Sequence, residues 1–194
     1  MKDEIEITQS IVDSICNSIK DNTSVLDIGF GNTMLLKNLI KKNNIKSYTG
    51  VDIDKCVVEK AMRDMHIEYK TNKFDFICGN IDELSLQKSD AIVCSRLFHH
   101  LPVDVARQYI DILSNTLYDN GQLIIVDSIR DFSNRDGHYS YTPIFFINEI
   151  SRLLGEYGRI IYSSNDGIAV NQFWKLIISL EKDCFSFEIS TIGE

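Results

Sequence analysis

A chain of 194 residues, 44% apolar and 25% charged, has the make-up of one globular domain able to bury a full core. Its net charge of −8 argues against a nucleic-acid backbone as substrate, because phosphate contacts need clustered Lys and Arg. No apolar run is long enough to span a bilayer, the start Met1-Lys2-Asp3-Glu4 is not that of a signal peptide, and the five cysteines share no metal-ligand spacing, so a reducing, cytoplasmic setting without membrane insertion is expected.

Between Ile5 and Ile19 the residues Ile7, Ile11, Val12, Ile15 and Ile19 recur at helical spacing, an amphipathic helix ended near Asp21-Asn22. The run Ser24-Val25-Leu26-Asp27-Ile28-Gly29-Phe30-Gly31-Asn32-Thr33 then reads as a short strand entering a glycine turn. A helix opens at about Thr33 and carries Leu35, Leu36, Leu39 and Ile40 on one face. Two glycines one residue apart let the backbone turn sharply with no Cβ in a ligand's way, and the helix start offers unpaired N–H groups. A second strand, Ser47 to Val51, ends in Asp52, whose carboxylate suits the two hydroxyls of a ribose. This order of strand, glycine turn, helix, strand and acid is that of a nucleoside-binding module.

The glycine stretch resembles the first motif of class I S-adenosylmethionine-dependent methyltransferases, an acid followed by G-x-G. Asp27, Gly29 and Gly31 match, and Thr33 stands where a third glycine commonly falls. The dinucleotide fingerprint G-x-G-x-x-G fails at Met34, which disfavours a nicotinamide-dependent oxidoreductase. The resemblance implies S-adenosylmethionine as cofactor, held by Asp27, Gly29, Gly31, Asp52 and Ile53, with the N-terminal helix packed beside it; read plainly, that helix merely covers the sheet.

Asp54 is a candidate N-cap for a helix bearing Val57, Val58, Ala61, Met62 and Met65. The strand Phe74 to Cys78 leads into Gly79-Asn80-Ile81-Asp82, which resembles the family's third motif. That implies Asn80 at the adenine amino group and Ile81 against the ring, with Asp82 a second candidate; read plainly, the stretch is a turn. The fourth strand, Ser89 to Ser95, ends in another implied cofactor residue, Ser95. The next residues, Arg96-Leu97-Phe98-His99-His100-Leu101-Pro102, are closely similar to a stretch of ubiquinone/menaquinone-type small-molecule methyltransferases.

Pro102 suits the first turn of a helix, continued by Val105, Ala106, Tyr109, Ile110, Leu113 and Leu117 and stopped by Asp119-Asn120-Gly121. Gln122 to Asp127 is a fifth strand with an unbroken apolar run, Leu123 to Val126, as in a central strand buried on both faces. A polar and aromatic loop, Ser128 to Thr142, holds Arg130, Arg135, His138, Tyr139 and Tyr141. Pro143 opens a helix through Phe146, Ile150, Leu153 and Leu154. Gly158 to Ser164 and Phe173 to Leu180 read as a hairpin about Asn165-Asp166-Gly167, and Phe185 to Ile189 as an edge strand or a tail.

Strands alternating with helices predict one α/β domain, a three-layer Rossmann-like doubly wound sheet, mostly parallel with an antiparallel C-terminal strand. Its parts are an N-terminal helix (1–22), a core (23–182) and a tail or edge strand (183–194). The implied function is methyl transfer to oxygen or nitrogen of a small-molecule or peptide acceptor, by a monomer or homodimer and without a metal. His99 and His100 are the candidate bases, with shaping of the cofactor pocket as their other reading. Arg130, His138, Tyr139 and Tyr141 are expected at the acceptor. The alternative is a protein that binds the same cofactor without transferring methyl groups.

Overall fold

The computed structural model describes residues 2–42, 45–69, 73–128, 139–154, 162–164, 173–181 and 184–192. Helix α1 (Lys2–Ser18) buries Ile11, Val12, Ile15 and Cys16 along one face. Strand β1 (Ser24–Ile28) is buried throughout and leads through the glycine turn into α2 (Met34–Lys42), which buries Leu35, Leu36 and Leu39. Lys41 and Lys42 close α2, where cations offset the helix dipole. Strand β2 (Ser47–Asp52) is followed by α3 (Lys55–Glu68), capped by Asp54, whose Oδ1 accepts the Cys56 N–H at 2.8 Å. Val58, Ala61 and Met65 face inward as their spacing predicts, whereas Met62 is turned outward and 46% exposed.

Strand β3 (Phe74–Cys78) and a 3₁₀ turn (Ile81–Glu83) lead to β4 (Ser89–Ser95) and a second 3₁₀ turn (Phe98–His100). Pro102 is the N-cap of α4 (Val103–Thr116). Here one boundary departs from the sequence reading. Leu117 does not continue the helix but begins β5 (Leu117–Ser128), and the Asp119-Asn120-Gly121 stop lies inside the strand. Leu117 pairs with Ser89 and Gln122 with Ala91, so the ladder shifts register between them. Asn120 takes the left-handed backbone (φ 66°) there, and a Cβ on Gly121 would fall 2.8 Å from the Tyr118 carbonyl oxygen.

Helix α5 (Pro143–Leu154) precedes β6 (Tyr162–Ser164), β7 (Phe173–Glu181) and β8 (Cys184–Ile192). Among the described residues these strands form one sheet in the order β3-β2-β1-β4-β5-β7-β8-β6. Only β7 runs against its neighbours, pairing antiparallel with both β5 and β8. The hairpin of the tail is therefore β7–β8, a correction to the expected pairing of β7 with the segment before it. β6 lies parallel to β8 at the far edge. The presumed tail is thus an inner strand, since Phe185 and Phe187 alternate onto the same apolar face as Leu176 and Ile178. The expected Asn165-Asp166-Gly167 turn lies outside the described residues.

Strand alternation splits the core between two faces. Leu26, Ile28, Ile92, Cys94, Leu123 and Ile125 pack with Ala106, Tyr109, Ile110 and Leu113 of α4 and Phe146 and Ile150 of α5. Val25, Ala91, Val93, Ile124 and Val126 pack with α1, α2 and α3 on the other. With both faces covered, the central strands are predominantly apolar, with Asp27 and Asp127 among the buried polar exceptions, and burying each large apolar side chain contributes about 1.5–3 kcal/mol. The parallel strands all end at one edge, and that edge carries the site.

Candidate functional site

A cleft of about 580 Å³ opens at the carboxyl ends of β1, β2 and β4, where ligands bind in open α/β sheets. Its floor is the glycine turn. Gly29 (φ 69°) donates its N–H to the Val51 carbonyl at 2.8 Å, and a Cβ there would come within 2.9 Å of the Leu97 side chain. Gly31 (φ 58°) is different: the nearest atom to a Cβ would be 4.0 Å away, so a side chain would stand in the opening. Helix α2 begins at Met34, one residue after the opening at Thr33 that the sequence suggested, and Asn32 Oδ1 accepts the Met34 N–H at 2.9 Å.

Asp52 ties the two cleft loops together. Its Oδ2 accepts the Gly31 N–H at 2.9 Å and its Oδ1 the Asp54 N–H at 3.0 Å. Each oxygen keeps a second lone pair for a ligand. Ile53, 74% exposed, and Ile81, 2% exposed, both line the cleft, as does Ser95. Asp27 lines it from within the sheet, where its Oδ2 accepts the Tyr48 hydroxyl at 2.7 Å. Burial, opposed by that bond and helped by the charge of Asp52, pushes the Asp27 carboxyl up to about 7.

Asn80 stands one layer back. Its Oδ1 accepts the Tyr109 hydroxyl, and Tyr109, rather than Asn80, borders the cleft. Tyr109 was read from sequence only as a core position of α4, and nothing in its helical spacing distinguishes it from one. Ile11, Val12 and Ile15 of α1 wall the cleft. Arg96, also missed, lines it with a left-handed backbone (φ 55°) fixed by its N–H bond to the Val126 carbonyl at 2.7 Å.

His99 and His100 both line the cleft, their rings 4.0 Å apart between centroids. Beneath them Phe98 is fully buried against Phe146. Asp127, near the end of β5, holds His99 twice: Oδ2 accepts the backbone N–H at 3.0 Å, and Oδ1 lies 2.7 Å from Nδ1. The Tyr139 N–H donates to the His99 carbonyl at 2.8 Å, and the Tyr139 ring packs on the core. Tyr141, expected at the acceptor, is a core residue instead. It is 8% exposed, its hydroxyl donates to the Leu101 carbonyl at 2.7 Å, and burial pushes its phenol up to about 12. Arg130 and His138 lie outside the described residues.

The sequence family described as a methyltransferase domain matches residues 25–121, which include the glycine turn, Asp52 and both histidines. The chain belongs to the class I S-adenosylmethionine-dependent methyltransferases. The cofactor of the family is S-adenosylmethionine, and the cleft fits it. Gly31 leaves open the space a Cβ would fill, Asp52 has lone pairs to spare, and Ile53 stands exposed where it lines the cleft. Among curated relatives, a carboxy-S-adenosyl-L-methionine synthase of Desulfotalea psychrophila is 31% identical over 91 residues, covering 45% of this chain and 37% of the relative. An uncharacterized methyltransferase of Schizosaccharomyces pombe is 28% identical over 119 residues, covering 57% and 40%. The chain thus spans about two-fifths of the length of these relatives. In fold it is similar to the N-methyltransferase NodS of Bradyrhizobium japonicum with bound S-adenosyl-L-homocysteine (TM-score 0.61, 20% identity, 77% of this chain and 73% of that one). It is also similar to the [4+2]-cyclase SpnF (TM-score 0.63, 16% identity, 73% and 56%).

Proposed function

We propose that this methyltransferase domain transfers a methyl group to oxygen or nitrogen of a small-molecule or peptide acceptor, with His99 taking the proton the acceptor gives up. One observation carries the reading: a single cleft joins the Gly29–Gly31 turn and Asp52 to the His99–His100 pair. When bound, S-adenosylmethionine supplies a methyl carbon on a positively charged sulfur, which an acceptor's lone pair displaces in line. The chain's own task is alignment and exclusion of water, from which proximity yields much of the rate. Asp52 is placed for the ribose hydroxyls and Ile53 and Ile81 for the base, with Asp27, Gly29, Gly31 and Ser95 around the rest of the cofactor. Asn80 and Tyr109, joined by a hydrogen bond, act at the base edge together, with Tyr109 the one that borders the cleft.

On the acceptor side, His100 and Arg96 form the rim beside His99. The Tyr139 N–H bond to the His99 carbonyl sets the described end of the Ser128 to Thr142 segment beside His99, which supports a role for that segment in meeting the acceptor. The His-His-Leu-Pro stretch favours a small molecule over a peptide. Cys16, Cys56, Cys78 and Cys94 are free thiols, in keeping with a reducing, cytoplasmic setting. No helix among the described residues is long and apolar enough to cross a membrane.

A second reading has one observation behind it. The relative from Desulfotalea psychrophila is a carboxy-S-adenosyl-L-methionine synthase, which supports non-methylating use of the cofactor. Mass spectrometry of the protein incubated with S-adenosylmethionine and candidate acceptors separates the two. A gain of one methyl mass on an acceptor, with S-adenosylhomocysteine formed, supports transfer. A nucleoside that changes mass without losing its methyl group contradicts it.

A further inference from the structure

We infer that Asp127 is the positioning residue for His99: it holds the imidazole as the Nδ1–H tautomer, reserves the Nε2 lone pair for a proton, and so suits the site to acceptors whose attacking atom carries one, an alcohol, phenol or ammonium. The inference rests on the methyl-transfer reading above. Asp127 follows the apolar run Leu123–Val126, and alternation puts it on the face of Leu123 and Ile125, where an apolar side chain is the expected occupant. It is instead a carboxylate, 2% exposed, and a buried charge is costly unless it is paired and hydrogen-bonded. Trp174, buried and in register opposite it on β7, shields it further.

The two bonds to His99 fix the ring. The backbone N–H is an obligate donor, so Oδ2 accepts there. Oδ1 is 2.7 Å from Nδ1, which in a neutral ring requires the proton on Nδ1 and leaves the lone pair on Nε2. The imidazole borders the cleft with 12% of its side chain exposed, while the carboxylate behind it is only 3% exposed. This is the arrangement of a ring presented to a ligand and steered from below. A carboxylate acceptor is already ionised at neutral pH and has no use for such a group; an alcohol, phenol or ammonium does. As the attacking atom bonds to the methyl carbon, the methyl–sulfur electron pair returns to sulfur. The proton of the attacking atom passes to Nε2, as the bond forms for an alcohol or phenol and beforehand for an ammonium, whose nitrogen has no lone pair until that proton leaves, and the imidazolium formed is balanced by the Asp127 carboxylate.

Asn in place of Asp127 makes the test sharp, because it has one acceptor where Asp has two. The backbone N–H claims the amide oxygen, the amide nitrogen then faces Nδ1, and the ring must move its proton to Nε2. The tautomer is read directly by long-range proton–nitrogen NMR at about pH 8, on histidine-labelled protein saturated with S-adenosylhomocysteine, with His99 assigned through His99→Gln. The expected result is Nδ1–H in the wild type and Nε2–H in Asp127→Asn. Wild-type His99 found as Nε2–H overturns the inference, and that measurement stands even if the variant fails to fold. In a labelled-methyl transfer assay over matched alcohols, phenols, amines and carboxylic acids, the best acceptor is expected to be proton-bearing. Asp127→Asn should lower kcat for it about a hundredfold or more with KM within about threefold. A carboxylic acid as best acceptor, or an unchanged kcat, overturns it. Failure of the methyl-transfer reading shows separately, as a wild type that methylates nothing in the panel whatever its tautomer.

Discussion

The Asp52 carboxylate accepts the Gly31 N–H at 2.9 Å, joining the end of β2 to the glycine turn that follows β1. The acid and the glycine are one device. Asp52 shapes the turn with the same carboxylate that is proposed to meet a ribose. Asp52→Ala is therefore expected to weaken S-adenosylhomocysteine binding by about 1–3 kcal/mol, and Asp52→Asn by less, since an amide still offers one acceptor. Calorimetry measures both, and equal affinity in Asp52→Ala and the wild type contradicts a ribose role.

Tyr109 and Asn80 form a second coupled pair, α4 to the loop after β3. If Tyr109 acts by orienting Asn80, Tyr109→Phe and Asn80→Ala should each raise the cofactor dissociation constant several-fold, and the double variant no further than the larger single effect. Strictly additive losses mean that the two residues act independently.

Much of this site was legible before any coordinates. Gly29, Gly31, Asp52, Ser95 and the histidine pair are signalled by local pattern, because each sits at a strand end followed by a turn whose chemistry is written in adjacent residues. Asp127, Tyr109 and Arg96 were not. Asp127 reads as the polar end of a buried strand, and its role depends on a partner 28 residues away. Tyr109 has the spacing of any core residue, and Arg96 is marked only by its backbone. The tail shows the same limit: β7 could pair with the strand before or after it, and the choice rests on long-range burial of Phe185 and Phe187.

Lys175 of β7 is 8% exposed and donates to Ser18 Oγ at 2.9 Å and the Ser14 carbonyl at 3.3 Å, pinning the end of α1 to the sheet. Because α1 walls the cleft, Lys175→Met should loosen both. Expected are faster amide exchange in α1 and a several-fold weaker hold on S-adenosylhomocysteine, with the rest of the fold retained. Unchanged α1 protection contradicts the link.

Asp27 gives a pH signature. Its folded-state value of about 7 lies above the ordinary 3.8, so the folded chain keeps a proton that the unfolded chain releases. That contribution to stability is full below about 3.8 and is lost as pH rises through about 7. Asp27→Asn, neutral at every pH, should gain stability relative to the wild type across this window, by roughly 2–4 kcal/mol at most, and level off above it. Urea melts from acid to mildly alkaline pH test this, and a difference independent of pH contradicts it.

The central claim is that the cleft at Gly29, Gly31 and Asp52 is built for S-adenosylmethionine. Isothermal titration of the protein with S-adenosylhomocysteine, set beside NAD, tests it most directly. Binding of the sulfur nucleoside in the micromolar range, about 8 kcal/mol, with none detected for NAD, is the result expected. Binding of NAD without either S-adenosylmethionine or S-adenosylhomocysteine contradicts the account.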